Sequence, residues 1–240
     1  MAEMIRLDKY LSDMGIGTRS EIKTWIRKGR VTVNQTVCRK PETKITIGLD
    51  RIYFDNHPIH YHQYHYFMLH KPAGVVSATT DNFSKTVLDL IKEKNVKNLF
   101  PMGRLDKDTE GLLLITNDGD LAHQLLSPKK RVDKVYYAKI KGMVTSEDIQ
   151  SFLEGVRIGD YKTLPAQLKI LHSDTISEIE LTIQEGKFHQ VKRMFQAVGK
   201  EVLYLKRLSM GGLSLDPSLQ AGEYRELTDH EVNLLRKIEK

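Results

Sequence analysis

The chain has 240 residues, room for one large or two modest domains, and its 40% hydrophobic and 28% charged content is ordinary for a globular protein. No apolar run approaches the ~20 residues of a membrane helix, the opening Met1-Ala2-Glu3-Met4-Ile5-Arg6 lacks the apolar centre of a secretory leader, and the single cysteine, Cys38, excludes an internal disulfide. The net charge of +6 is uneven: residues 1–60 carry 11 Lys or Arg against 7 Asp or Glu, a net of +4, and the remainder carries 26 against 24. A basic first quarter on a near-neutral body points to a polyanionic partner held by the smaller part, in a reducing, cytoplasmic setting. Cys38 itself reads as a small buried hydrophobe.

In chain order, Ile5, Leu7, Tyr10, Leu11 and Met14 follow a helical spacing that Gly15 and Gly17 end. Thr18-Arg19-Ser20-Glu21 fits a capping box, and the helix it opens carries Ile22, Trp25 and Ile26 on its apolar face, with Gly29 as the residue beyond its end. Arg19, Lys23, Arg27 and Arg30 recur at spacings of four, four and three, so they form a basic stripe, with Lys28 beside it. Val31 to Val37 alternates like a strand hairpin turning at Asn34-Gln35, and Lys44 to Ile47 reads as another strand. From spacing alone the stripe is also what any solvated helix face looks like. The strings Arg6-Leu7-Asp8-Lys9-Tyr10-Leu11, Thr18-Arg19-Ser20-Glu21 and Ile26 to Asn34 nevertheless resemble the small RNA-binding module first seen in ribosomal protein S-four. That resemblance implies phosphate contacts from Arg6, Lys9, Arg19, Lys23, Arg27, Lys28 and Arg30, which position RNA without reading much of its sequence.

Asn56-His57-Pro58 breaks the pattern, and a domain boundary is expected near 57–64. Five of the nine histidines (His57, His60, His62, His65 and His70) fall here. A zinc site needs converging ligands, which no cysteine or acidic neighbour completes, and His60, His62 and Tyr64 alternate as one face of an extended segment. No metal is expected.

Residues 103–119 place Asp106, Asp108 and Glu110 beside Arg104 and Lys107 in a Gly-bounded loop, before the apolar run Leu112 to Ile115 and the turn Asn117-Asp118-Gly119. Reactive groups usually sit on loops carried by rigid strands. Spacing alone equally allows a solvated loop ahead of a buried strand. Further on, Lys134 to Ala138 is a short β-type run after the basic turn Pro128-Lys129-Lys130-Arg131. A strand over Glu178 to Ile183 leads through Gly186 into a helix with Val191, Met194 and Phe195 on one face and Lys192 and Arg193 on another. Val202 to Leu208 precedes Gly211-Gly212.

Gly103-Arg104-Leu105-Asp106 resembles the active-site motif of pseudouridine synthases of the RsuA/RluA type, and the other segments follow in that family's order from Arg6 to about Thr228. His70-Lys71-Pro72-Ala73-Gly74 stands where the family carries Asn-Lys-Pro-x-Gly, with His70 replacing Asn. The resemblance implies an α+β protein: a small α/β RNA-binding domain over residues 1–60, then over 61–240 a mixed, mostly antiparallel sheet flanked by helices. It implies that Asp106 is the catalytic aspartate, attacking the sugar or drawing a proton from it, with Lys187 as its basic partner. Tyr136 would pack on the base and take a proton from its new attachment carbon, Leu205 would supply an apolar wall, and Arg104 would fill the space left by a flipped-out base. His189 is read as structural or RNA-contacting, and Asp108 and Glu110 as scaffold. No cofactor is implied. Phe188 to Phe195 and Glu223 to Thr228 look most like RsuA, so small-subunit ribosomal RNA, free or in an assembling subunit, is the expected partner of a monomer. A non-enzymatic ribosome-assembly factor and a large-subunit synthase are the competing readings.

Overall fold

The computed structural model describes residues 4–59, 61, 64–93 and 96–237. His60 and His62, and with them the expected alternation with Tyr64, lie outside the described residues. The chain forms two compact units, Met1–His65 with Lys92–Asn98, and Tyr66–Ile91 with Leu99–Lys240.

In the first unit, β1 (Met4–Arg6) leads directly into α1 (Leu7–Asp13), followed by α2 (Arg19–Arg27), β2 (Val31–Val33), β3 (Thr36–Cys38), β4 (Lys44–Thr46), β5 (Ile52–Phe54) and β6 (His57–Ile59). Ile5, expected at the start of the first helix, is instead in a strand and pairs with Ile45. Leu7, Leu11, Ile22, Ile26, Ile45 and Val31 close a shared core that is almost free of solvent. The capping box forms in both directions: Thr18 Oγ1 accepts from Glu21 N, and Glu21 Oε2 accepts from Thr18 N at 2.9 Å. Gly29 follows α2 at φ +79°. The β2–β3 hairpin turns at Asn34 and Gln35, both at positive φ, which suits the right-handed twist of the flanking strands. Cys38 is half-buried rather than buried: it packs against the core cluster, and its thiol lies 3.2 Å from Thr43 Oγ1.

The second unit contains β7 (Tyr66–Lys71), β8 (Phe100–Met102), β9 (Glu110–Thr116), α3 (Gly119–Leu126), β10 (Lys134–Lys141), α4 (Ser146–Glu154), β11 (Arg157–Ile158), β12 (Tyr161–Lys162), β13 (Gln167–His172), β14 (Ile176–Ile183), α5 (Gln190–Ala197), β15 (Glu201–Met210), β16 (Leu213–Ser214), β17 (Tyr224–Glu226) and α6 (Asp229–Lys237). Its main sheet runs β13-β14-β10-β15-β9-β7-β17, with β8 on β9 and β16 on β15. All its pairings are antiparallel except the central one, β9 with β15. Buried on both faces, β9 needs no polar alternation, and Leu112 to Ile115 are its uninterrupted apolar run. The β9–β15 crossing is close at Gly111: at φ +105°, a Cβ there would lie 2.2 Å from Arg207 O. Asp118 caps α3, accepting from Leu121 N, and takes a second hydrogen bond from the Tyr66 hydroxyl at 2.6 Å. Among the described residues no helix is long and apolar enough to cross a membrane.

Candidate active site

The site is built where the loop before β9 meets one face of the sheet and the start of α5. The loop is held by its main chain. Ser77 Oγ donates to Leu105 O and accepts from Leu105 N, and Thr109 N closes back on Asp106 O at 3.1 Å. Beneath it the fully buried Lys71, at the end of β7, donates from Nζ to the carbonyls of Pro72, Lys107 and Thr109 at 3.0, 3.3 and 2.8 Å. Burial pushes the Lys71 ammonium down to about 8, against the attraction of Asp108, Asp106 and Glu110. Its neighbour His70 is buried too, and its Nδ1 lies 2.8 Å from Leu219 O, a structural contact with the segment that leads into β17.

Strand alternation supplies the floor. Tyr136 on β10 lies opposite Arg207 on β15, and Leu205 stands two residues before Arg207 on the same strand. Asp106, Arg104, Tyr136, Lys187 and Leu205 all line one cavity of about 60 Å³, so the five residues drawn from four distant segments meet. Tyr136 and Leu205 are buried there, and Asp106 is one-quarter exposed. Arg104 is exposed, with no side-chain partner among the described residues. A second cavity of about 710 Å³ shares Arg104, Tyr136 and Lys187 with the first.

The expected ion pair between Lys187 and Asp106 is not formed. Lys187 precedes α5, where its N–H donates to Gln190 Oε1, and its ammonium lies over the Tyr161 ring at 4.6 Å. The basic side chains that face Asp106 come from α5 and its cap: the Lys192 ammonium, with Nζ at 3.5 Å from Oδ2, and the His189 imidazole, with Nε2 at 3.7 Å from Oδ1. The reason is geometric. With α5 beginning at Gln190, its buried face is Val191, Met194 and Phe195, and Lys192 turns from that face toward the loop. Lys192 also binds Asp108 at 2.6 Å, so one ammonium is shared by two carboxylates. Burial pushes Asp108 up, but the Lys192 hydrogen bond and charge outweigh it and hold Asp108 below the usual carboxylate range. His189, at φ +50°, stacks on the exposed Phe188 ring at 3.8 Å. Glu110 accepts from the Tyr204 hydroxyl at 2.6 Å, tying the start of β9 to β15. The signal for Lys192 was present in the sequence, as a cation off the apolar face of a well-marked helix, but the fold was needed to show what it faces.

In the first unit the basic residues divide. Arg6 is held by Asp8, and Lys9 by Asp13 at 3.1 Å. Arg30 pairs with Asp55 and lies over the Phe54 ring at 4.6 Å, which takes it out of the helical stripe. Arg19, Arg27 and Lys28 are exposed and Lys23 is half-buried. Among the described residues no three His, Cys, Asp or Glu side chains are grouped to hold a metal ion.

A carboxylate beside a lysine, a floor that includes a tyrosine and a leucine, and a cleft rimmed by arginine and lysine suit an enzyme that works on a polyanion. The comparisons specify it. Residues 65–197 match the RNA pseudouridylate synthase family and residues 5–50 the S4 domain. The chain is 48% identical to an uncharacterized RNA pseudouridine synthase, YtzG, of Bacillus subtilis (strain 168), over 97% of this chain and 99% of that one. It is 41% identical to the ribosomal small subunit pseudouridine synthase A of Vibrio cholerae (95% and 98% covered) and 40% identical to the ribosomal large subunit pseudouridine synthase B of Bacillus subtilis (98% and 97%). A crystal structure of a pseudouridylate synthase superposes with a TM-score of 0.67 at 36% identity, covering 96% of this chain and 99% of that one. The chain therefore belongs to the RNA pseudouridylate synthase family, as an isomerase acting on RNA.

Proposed function

We propose that this enzyme converts a uridine of small-subunit ribosomal RNA to pseudouridine, with Asp106 as the catalytic aspartate. The observation that carries the reading is the convergence of Asp106, Tyr136 and Leu205 on one cavity with Arg104 at its mouth. The base must detach from its sugar, turn and rejoin through carbon without leaving. A small cavity with Tyr136, Leu205 and Val191 in its wall suits such a confined rotation. Asp106 acts on the sugar, by attack or by proton removal, and Lys192 offsets the negative charge gathered on its loop, with His189 beside it. Tyr136 packs on the base and receives the proton from the carbon that forms the new bond. Lys187 contributes as a cation at the cavity wall rather than as the aspartate's partner. Arg104, planar and without a competing partner among the described residues, takes the space of the extruded base.

The choice of the small subunit rests on the aromatic-His pair Phe188-His189 and on Glu223 to Thr228, which resemble RsuA. The identities of 41% and 40% to the two kinds of ribosomal synthase do not separate them. The first unit would dock on phosphates of the same RNA, free or in an assembling subunit, through Arg19, Lys23, Arg27 and Lys28. Ribosomal RNA as substrate puts the reaction in the cytoplasm, and one chain supplies every residue named, which suits a monomer. Pseudouridine mapping of ribosomal RNA from cells with and without the gene tests the assignment. One small-subunit position is expected to be lost and not restored by Asp106→Asn; loss of a large-subunit position instead would overturn the substrate assignment.

A further inference from the structure

The larger cavity beside the Asp106 pocket has two buried cations in its wall. Lys134 and Arg207 are 8% and 2% exposed. They belong to one face of the sheet: Lys134 is two residues before Tyr136 on β10, and Arg207 lies opposite Tyr136 on β15. Neither has an ion-pair partner among the described residues. Lys134 Nζ donates to Val132 O at 2.9 Å, and Arg207 Nε to Leu112 O at 2.7 Å, while Arg207 Nη2 is buried with no acceptor. The nearby carboxylates attract Lys134 from a distance but take their hydrogen bonds from other groups. Glu185 accepts from the Tyr161 hydroxyl, Leu164 N and Gln190 Nε2, and Asp133 accepts from Gln184 Nε2. The two cations act on each other as like charges: burial and the charge of Arg207 push Lys134 down to about 8, against the attraction of Asp133 and Glu185.

Two neighbouring buried cations with no direct ion-pair partner among the described residues are costly, and a fold retains such an arrangement where something else supplies further negative charge. The cavity in front of them is also lined by Arg104, Lys129, Arg131 and Lys187, with Glu185 as its single carboxylate. A neutral base has no use for this much positive charge. A phosphate has: its oxygens accept from the remaining Lys134 ammonium hydrogens, and its charge offsets both Lys134 and Arg207.

We propose that Lys134 and Arg207 form the floor of a phosphate subsite that takes a phosphodiester of the substrate RNA next to the uridine held at Asp106. This rests on the synthase reading of the neighbouring pocket. Seated there, the phosphate fixes the sugar-phosphate chain at one end while Asp106 works on the sugar. Removing the charge therefore weakens capture of the substrate more than it slows the captured one.

The test uses the full chain, with uridine 5′-monophosphate, uridine and inorganic phosphate as calorimetric probes. The monophosphate and inorganic phosphate are expected to bind, and Lys134→Met to weaken both about tenfold without altering uridine, the loss of one charge-assisted hydrogen bond. Lys134→Arg, which keeps the charge, is expected to restore binding, which a merely structural role of Lys134 would not produce. On a small-subunit ribosomal RNA transcript, Lys134→Met is expected to raise KM about tenfold, more than it changes kcat, and to reduce the salt dependence by about one phosphate contact. A neutral methylphosphonate beside the target uridine should reproduce that defect in the unaltered enzyme and add nothing to Lys134→Met, which separates an RNA phosphodiester from a free phosphate site. Equal affinity of the unaltered and Lys134→Met chains for the monophosphate would overturn the subsite. Absence of pseudouridine formation by the unaltered chain would overturn the synthase reading, and the comparison of monophosphate with uridine would still decide the subsite.

Discussion

Replacing Lys192 with methionine keeps the length of the side chain and removes its charge. In the structure this ammonium lies 3.5 Å from Asp106 and 2.6 Å from Asp108. At an effective dielectric constant of ~20, a unit pair at that first distance interacts by about 5 kcal/mol. Lys192 and Asp106 are each about one-quarter exposed, and the ammonium is shared with Asp108, so solvent screening and division leave about 2–3 kcal/mol for Asp106. Once the cation is gone, Asp108 also repels Asp106 unscreened. The expected loss in kcat/KM is therefore about 30- to 150-fold. The assay is pseudouridine formation on a small-subunit ribosomal RNA transcript under single-turnover conditions, with circular dichroism to show that α5 is intact. Lys187→Met is the control. Its ammonium lies on the Tyr161 ring, a contact worth about 0.5–1 kcal/mol, so about a two- to fivefold loss is expected. If Lys187→Met proves more damaging than Lys192→Met, or Lys192→Met loses less than about threefold, the assignment of Lys192 as the cation that serves Asp106 is refuted.

Two further outcomes concern stability. Lys71 and Lys134 are held at about 8 in the folded chain and return to 10.5 on unfolding, so between those values the unfolded chain binds more protons and stability should rise with pH. Above pH 10 the trend should reverse as Tyr66, pushed up to about 12 by burial and Asp118, opposes ionisation in the fold. Urea midpoints across pH 7–11 check this, and Lys71→Met should remove roughly half of the rise; an unchanged slope would mean that Lys71 is not buried as a cation. Gly111→Ala would place a Cβ 2.2 Å from Arg207 O on a backbone at φ +105°, and should cost about 3 kcal/mol or more, lowering the melting temperature by about 10 °C. A variant that melts with the unaltered protein would show that β9 and β15 can part without penalty.

The elements marked by local chemistry were readable from the residues. The Thr18–Glu21 box opens α2, the Asn34-Gln35 turn makes the hairpin, and the apolar run Leu112 to Ile115 is a central strand. The convergence of Asp106, Tyr136 and Leu205 was legible only through resemblance, because sheet order, not sequence distance, places β10 and β15 under the loop. Spacing was misleading at Ile5, where cross-strand pairing with Ile45 prevails over a helical period. It was silent on Lys192, whose partner lies on another element 86 positions away in Asp106. The engagement of Arg30 with Asp55 was equally hidden, since a basic stripe read along a helix cannot show a carboxylate arriving from the β5–β6 turn.

Lys71 reaches the loop through two main-chain carbonyls, those of Lys107 and Thr109, and no side chain. The position of Asp106 is thus set by backbone atoms that every residue type possesses. The exposed side chain at 107 can be exchanged under that arrangement without displacing the aspartate, whereas Thr109 is buried in the wall of the Asp106 cavity; Lys107 is thus the position where the loop can vary while its chemistry stays in place.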